Sequence, residues 1–156
     1  MGIIIAIVLS LIVSVFALTI LPRFLKKFGA KPAPHTGLLI IGLVLYVVSW
    51  WLPSPLIEGR DTSFTTHLVG GGLFTGFIWL YIKKSFGWKT HWLLEVLSLF
   101  ALVSALGVVN ELFELILYIT RVLETIADTS WDLLANTFGA LLFYLIYRVW
   151  GYGRRH

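Results

Sequence analysis

The predicted fold is all-α, a polytopic bundle of five transmembrane helices, and three observations lead to it. Hydrophobic residues make up 58% of the 156-residue chain and charged residues 13%, more apolar surface than a soluble domain of this size could bury. The apolar residues gather into five runs, near 2–22, 37–53, 66–82, 91–118 and 131–150, each close to the roughly 20 residues that cross a hydrocarbon core as a helix. The basic residues fall after the first, third and fifth runs: Arg23, Lys26, Lys27 and Lys31; Lys83, Lys84 and Lys89; Arg148, Arg154 and Arg155. A five-span chain puts those clusters on one side. Cytoplasmic loops collect Lys and Arg, so the N-terminus is expected outside and the C-terminus inside. Residues 1–156 read as a single integral membrane domain in a cell membrane. Cysteine is absent, which excludes disulfides, thiolate metal sites and a cysteine nucleophile. The basic clusters serve as topology signals, and no nucleic-acid partner is expected.

Span one, GIIIAIVLSLIVSVFALTILP, carries no charge and no polar stripe, so lipid should cover much of it. It lacks a basic leader and a small-residue cleavage site, and it reads as a retained anchor. A short Pro-rich link follows. Span two ends in Trp50 and Trp51, placed as an interfacial belt. Span three opens at His67 and holds Gly70, Gly71, Gly72 and Gly76. Small residues let membrane helices approach closely, so this span is expected at the centre. Span four is long enough to tilt or to project past the headgroups. Residues 119–130 are expected as an outer connection, and span five descends from there.

One internal echo stands out. Asp61-Thr62-Ser63-Phe64 and Asp128-Thr129-Ser130-Trp131 each precede an inward span, with Gly72 and Gly139 at the same offset. Shared helix capping by Asp, Thr and Ser accounts for it more simply than a duplication of helix pairs.

The acids lie where the bases do not. Seven of the eight, Glu58, Asp61, Glu111, Glu114, Glu124, Asp128 and Asp132, fall at or beyond the outer ends of spans, where Arg60 and Arg121 are the basic residues. Glu111 and Glu114 share a helical face by their i, i+3 spacing, and Ser104 and Gly107 extend that face inward. Asp128, Asp132 and Asn136 recur every fourth residue on a stripe that Gly139 continues. His67 sits at the outer start of span three. Ionisable groups inside a membrane are costly and face a bundle interior or a watered cavity. His67, Glu111, Glu114, Asp128, Asp132 and Asn136 are therefore the candidate catalytic set. Each has a structural alternative: Asp128 or Thr129 as the cap of span five, Asp132 in its favourable first turn, Asn136 as an interhelical hydrogen-bonding group. Glu95, near the inner end of span four, is expected to snorkel or to pair locally with His91 or Lys89. His35, His91 and His156 receive no role.

His67 at a Gly-rich span, NELFEL at 110–115 and DTSWDLLANTFGALL at 128–142 together resemble the VanZ-like membrane proteins, and more closely the YjdF-type bacterial inner-membrane proteins. The resemblance runs over roughly residues 58–147. It implies that His67, Glu111, Glu114, Asp128, Asp132 and Asn136 form the family's polar set. VanZ itself is associated with teicoplanin resistance. The chain departs from the VanZ pattern in its first span and before His67.

Three functions compete. One is an enzyme acting on a lipid or lipid-linked headgroup at the outer leaflet. His67, Glu111, Glu114, Asp128 and Asp132 would there ligate a divalent metal, Mg²⁺, Mn²⁺ or Zn²⁺. A crowded carboxylate pair without a metal could also act as acid and base. The second is a non-catalytic cation, proton or ligand binder or small transporter, alone or as an oligomer. The third is a membrane scaffold or assembly factor whose acids merely finish helix ends.

Overall fold

Gly70, Gly71 and Gly72 sit where α-helical pitch gives way to a wider one, and the helix carrying them organises the rest. The computed structural model describes residues 3–57, 60–117 and 122–153, and the side-chain surroundings of 6–56, 62–113 and 129–150. Among the described residues five helical rods follow one another. α1 runs from Ile3–Val15 through a π-helical stretch, Phe16–Ile20, into Leu21–Lys27. A single 3₁₀ turn, Ala33–His35, leads into α2 (Thr36–Ser49). A two-rung antiparallel hairpin pairs Leu56 with Asp61 and Ile57 with Arg60. α3 then comprises Phe64–Thr66, a π-helical stretch His67–Leu73, and Phe74–Phe86. α4 spans Trp92–Leu117 and α5 Val122–Gly153.

Among the described residues the structure is thus mainly helical, the rods being joined by short turns and the hairpin. Ala6–Lys27, Trp92–Phe113 and Thr129–Trp150 are long and apolar enough to cross a membrane, and Ala33–Ser49 is a shorter apolar helix. α1 exposes Ile7, Leu11, Ile12, Val15 and Phe16, the surface expected of a helix that meets lipid.

α3 is central, as its glycines predict. Its Phe74, Ile78 and Tyr81 join Ala17 and Leu25 of α1 and Leu39 and Leu43 of α2 in one core. Its Trp79 and Leu80 join Leu99 and Val103 of α4 and Ala140, Phe143 and Tyr144 of α5 in another. Contact with α5 is closest at Gly72 and Gly139. A methyl group on Gly72 would lie 2.5 Å from the Gly139 Cα, and one on Gly139 would lie 2.9 Å from the Gly72 Cα. Neither position tolerates a Cβ without separating the helices. Gly76 leaves the room that Phe143 fills, and Phe143 meets Phe77 edge-on at 4.9 Å. α3 stops at Gly87, whose φ of +66° supplies the left-handed residue that closes many helices.

Residues 122–130 depart from expectation, while 119–121 lie outside the described residues. Described backbone from Val122 onward is already helical, so Asp128 and Asp132 are interior to α5. They do not cap its N-terminus. The Asp-Thr-Ser echo therefore has two settings: Thr62 and Ser63 enter α3, while Thr129 and Ser130 lie inside α5. Shared capping does not explain it. VLETIADTSWDLLA extends the helix because Leu, Ala and Glu form helix readily even where the chain is polar.

Candidate metal centre

The site begins with Ser63, a non-glycine residue at φ 47°, ψ 9°. Left-handed backbone costs an L-residue roughly 1–2 kcal/mol, and such residues persist where the surroundings hold them. The bend aims Ser63 at α5. Its Oγ lies 3.2 Å from Asp132 Oδ1 and 2.8 Å from the Thr62 carbonyl, and its one proton serves one acceptor at a time. Thr62 is anchored in turn, donating to the Pro55 carbonyl at 2.9 Å. Thr66 donates to the Ser49 carbonyl at 3.2 Å, so the end of α2 also helps to fix the start of α3.

One turn further along α3, His67 Nε2 stands 3.2 Å from Asp132 Oδ2. Asp132 is 1% exposed. Burial of a carboxylate without partners is costly, and here its two oxygens are divided between a hydroxyl and an imidazole. Glu111, on α4, completes the group. Ligand atoms of His67, Glu111 and Asp132 all lie within 4.8 Å of one another. Two donors bound to one cation at about 2.0–2.4 Å cannot be more than ~4.8 Å apart, so this group could hold a metal ion.

A second layer lies one helical turn deeper. Gly71 follows His67 by four residues, Asn136 follows Asp132 by four, and Gly107 precedes Glu111 by four. Asn136 is 4% exposed, and its Oδ1 is buried with no hydrogen-bond partner among the described residues. The amide occupies the space a side chain at Gly71 would need. A methyl on Gly107 would lie 3.4 Å from Asn136 Nδ2. Both glycines admit the amide beneath the three donors, and an unsatisfied buried acceptor needs an explanation.

The residues expected at the site thus divide. His67, Glu111 and Asp132 come together, and Asn136 lies directly below them. The side chains of Glu114 and Asp128 lie outside the described residues, as do those of Arg60, Asp61 and Glu124; Glu58 and Arg121 lie outside them entirely. Sequence reasoning missed Ser63. Its sequence signal was the Asp-Thr-Ser run, whose hydroxyls were read as caps.

A second polar cluster lies at the other end of the same three helices, and it corrects the expectation for Glu95. That residue is 4% exposed and pairs with Lys83 of α3 rather than with His91 or Lys89. Tyr144 Oη lies 3.3 Å from Glu95 Oε2, and Arg148 Nη1 lies 3.9 Å from the same oxygen. Lys83 also donates to Tyr147 Oη at 2.8 Å, and it sits 5.3 Å and 5.0 Å from the ring centres of Trp79 and Tyr147. Trp79 Nε1 donates to Ser98 Oγ at 2.9 Å. Its signal was the spacing Tyr144, Tyr147, Arg148, which puts three polar tips on one face of α5.

Compared with protein-family models, curated proteins and solved structures, the chain matches none.

Proposed function

We propose that the chain is a membrane protein whose work is done at a divalent-cation site near one membrane surface, with the headgroup of a lipid or lipid-linked molecule as substrate. In this reading all five helices cross the bilayer with the N-terminus outside, so the site faces away from the cytoplasm, opposite the basic ends. The observation that carries it is the meeting of His67, Glu111 and Asp132, donors from three separate helices, above the Asn136 amide oxygen, which has no hydrogen-bond partner among the described residues. Isolated charges in a membrane are expensive, and a cation offsets the repulsion between two carboxylates. One imidazole with two carboxylates suits Mn²⁺ or Zn²⁺ better than the all-oxygen preference of Mg²⁺. A bound ion of this kind polarises a phosphoryl oxygen and acidifies water. Ser63 orients Asp132, Glu111 is placed to take a proton, and Asn136 Oδ1 can accept a hydrogen bond from water below. The resemblance to VanZ-like and YjdF-type proteins agrees with this choice of polar residues.

The test is metal content followed by turnover. Purified protein should retain Mn²⁺ or Zn²⁺ in proportion to chain, and Glu111→Ala or Asp132→Ala should reduce it to background. Release of phosphate-containing headgroup from lipid vesicles should fall with it. Unchanged metal content and turnover in both variants would remove the reading.

Cation or proton binding without chemistry ranks second. The His67–Asp132 contact at 3.2 Å favours it, since an imidazole beside a carboxylate exchanges protons readily. The Gly72–Gly139 contact argues against a path inward between α3 and α5. Ion-dependent flux in liposomes without headgroup turnover would promote this alternative.

A further inference from the structure

The inner cluster borders a cavity of about 530 Å³ lined by Trp79, Lys83, Trp88, Thr90, Leu94 and Leu97. That volume falls within the roughly 300–1,000 Å³ of small-ligand sites. Two features of the surroundings indicate what would enter. Leu94 and Leu97 belong to the exposed apolar face of α4 together with Leu93 and Phe100, and that helix is apolar enough to cross a membrane. The neighbouring occupant is therefore hydrocarbon. Charge supplies the second feature. Lys83, Lys84, Lys89 and Arg148 stand at this end of the three helices, against Glu95 as the acid paired there. Lys83 gives one N–H to Glu95 and one to Tyr147, which leaves a third donor. Lys84 and Lys89 are exposed.

We propose that this cavity is a binding site for an anionic phospholipid, with the phosphate held by Lys83 and Lys89 and an acyl chain along Leu94 and Leu97. Exposed Trp88 and Trp92 mark the level of the headgroups, where tryptophan gathers. A zwitterionic lipid would satisfy the apolar walls equally well and leave the surplus positive charge unmatched. Headgroup charge, not chain length, sets the preference. The site is independent of the outer metal centre and survives that centre's removal.

Native mass spectrometry of the full chain in detergent, with equal phosphatidylglycerol and phosphatidylcholine of identical acyl chains, tests this. About a tenfold preference for phosphatidylglycerol is expected, since each Lys or Arg near a membrane surface contributes appreciably to anionic-lipid binding. Lys89→Glu should bring the preference close to unity, and Leu97→Trp, which fills the cavity, should weaken retention of both lipids. Both positions are exposed, so the variants fold; Asp132→Ala should keep the full preference. Equal retention of the two lipids by wild type, or an unchanged preference in Lys89→Glu, overturns the proposal. Displacement of phosphatidylglycerol by millimolar inorganic phosphate would mark a free-anion site instead. A dimer that persists without lipid would assign the cavity to a second copy of the chain.

Discussion

The two polar clusters are built on the same three helices and answer the same problem in opposite ways. Residues 67 and 83 of α3, 111 and 95 of α4, and 132 and 148 of α5 supply one member to each, sixteen positions apart in every case. That is roughly 24 Å along a helix. At the Lys83 end Glu95 is enclosed by Lys83, Tyr144 and Arg148, so its charge is more than matched. At the His67 end two carboxylates converge on one imidazole, over an amide oxygen that meets no donor among the described residues. The first cluster leaves positive charge in surplus around one acid, while the second gathers two acids about one imidazole in an arrangement that could hold a metal ion.

The sharpest way to break this contrast is to remove one charge from each end. Lys83→Ala leaves buried Glu95 with Tyr144 and the more distant Arg148 as its partners, and truncating one partner of a buried pair costs about 3–5 kcal/mol. Denaturant titration in detergent micelles should show that loss, and Lys83→Met with Glu95→Leu should recover much of it. Next in size is Gly72→Leu, which forces α3 and α5 apart at the closest contact; overpacking of this kind costs about 1–3 kcal/mol. It should also lower metal retention, because His67 and Asp132 face each other across that joint. Trp79→Phe removes the hydrogen bond to Ser98 and should cost about 0.5–1.5 kcal/mol without touching the outer site. The smallest change in stability is expected for Glu111→Gln, which should leave the unfolding midpoint unchanged or raise it by relieving repulsion, while metal retention falls. A destabilisation there as large as that of Lys83→Ala would make the two ends alike and overturn the contrast, whereas unchanged stability together with unchanged metal retention would support the scaffold reading.

Much of this arrangement was legible before any coordinates. The helices fall on the apolar runs because length and hydropathy are local properties, and α3 is central because four glycines in one helix signal close approach. His67, Asp132 and Asn136 were visible through spacing, as polar residues one turn apart on otherwise apolar helices. The N-terminal part of α5 was not, since Glu124 to Asp128 is polar enough to pass for a loop while keeping good helix formers. Glu95 was misread for a different reason. Its partners lie 12 residues back on α3 and 49 ahead on α5, and no local rule reports a pairing across that distance. Lys83 belongs to a basic cluster that signals topology, and nothing in its local sequence marks its pairing with Glu95. Ser63 escaped because a hydroxyl at a helix entrance is ordinarily a cap, and only its positive φ reveals that it points elsewhere.

The wide turn at His67–Leu73 has one more consequence. A π-helical stretch amounts to an extra residue threaded into an α-helix, so it sets the angular phase between everything before it and everything after. Deleting Gly70 would let the stretch relax to ordinary pitch and swing the His67 end by about 100° about the axis, the rotation of one residue at 3.6 per turn. The lower half, with Lys83 still locked to Glu95 and Tyr147, would stay in place. The inserted residue therefore works as a spline, keyed so that the imidazole meets Asp132 while the lysine, four turns away, meets its own partner.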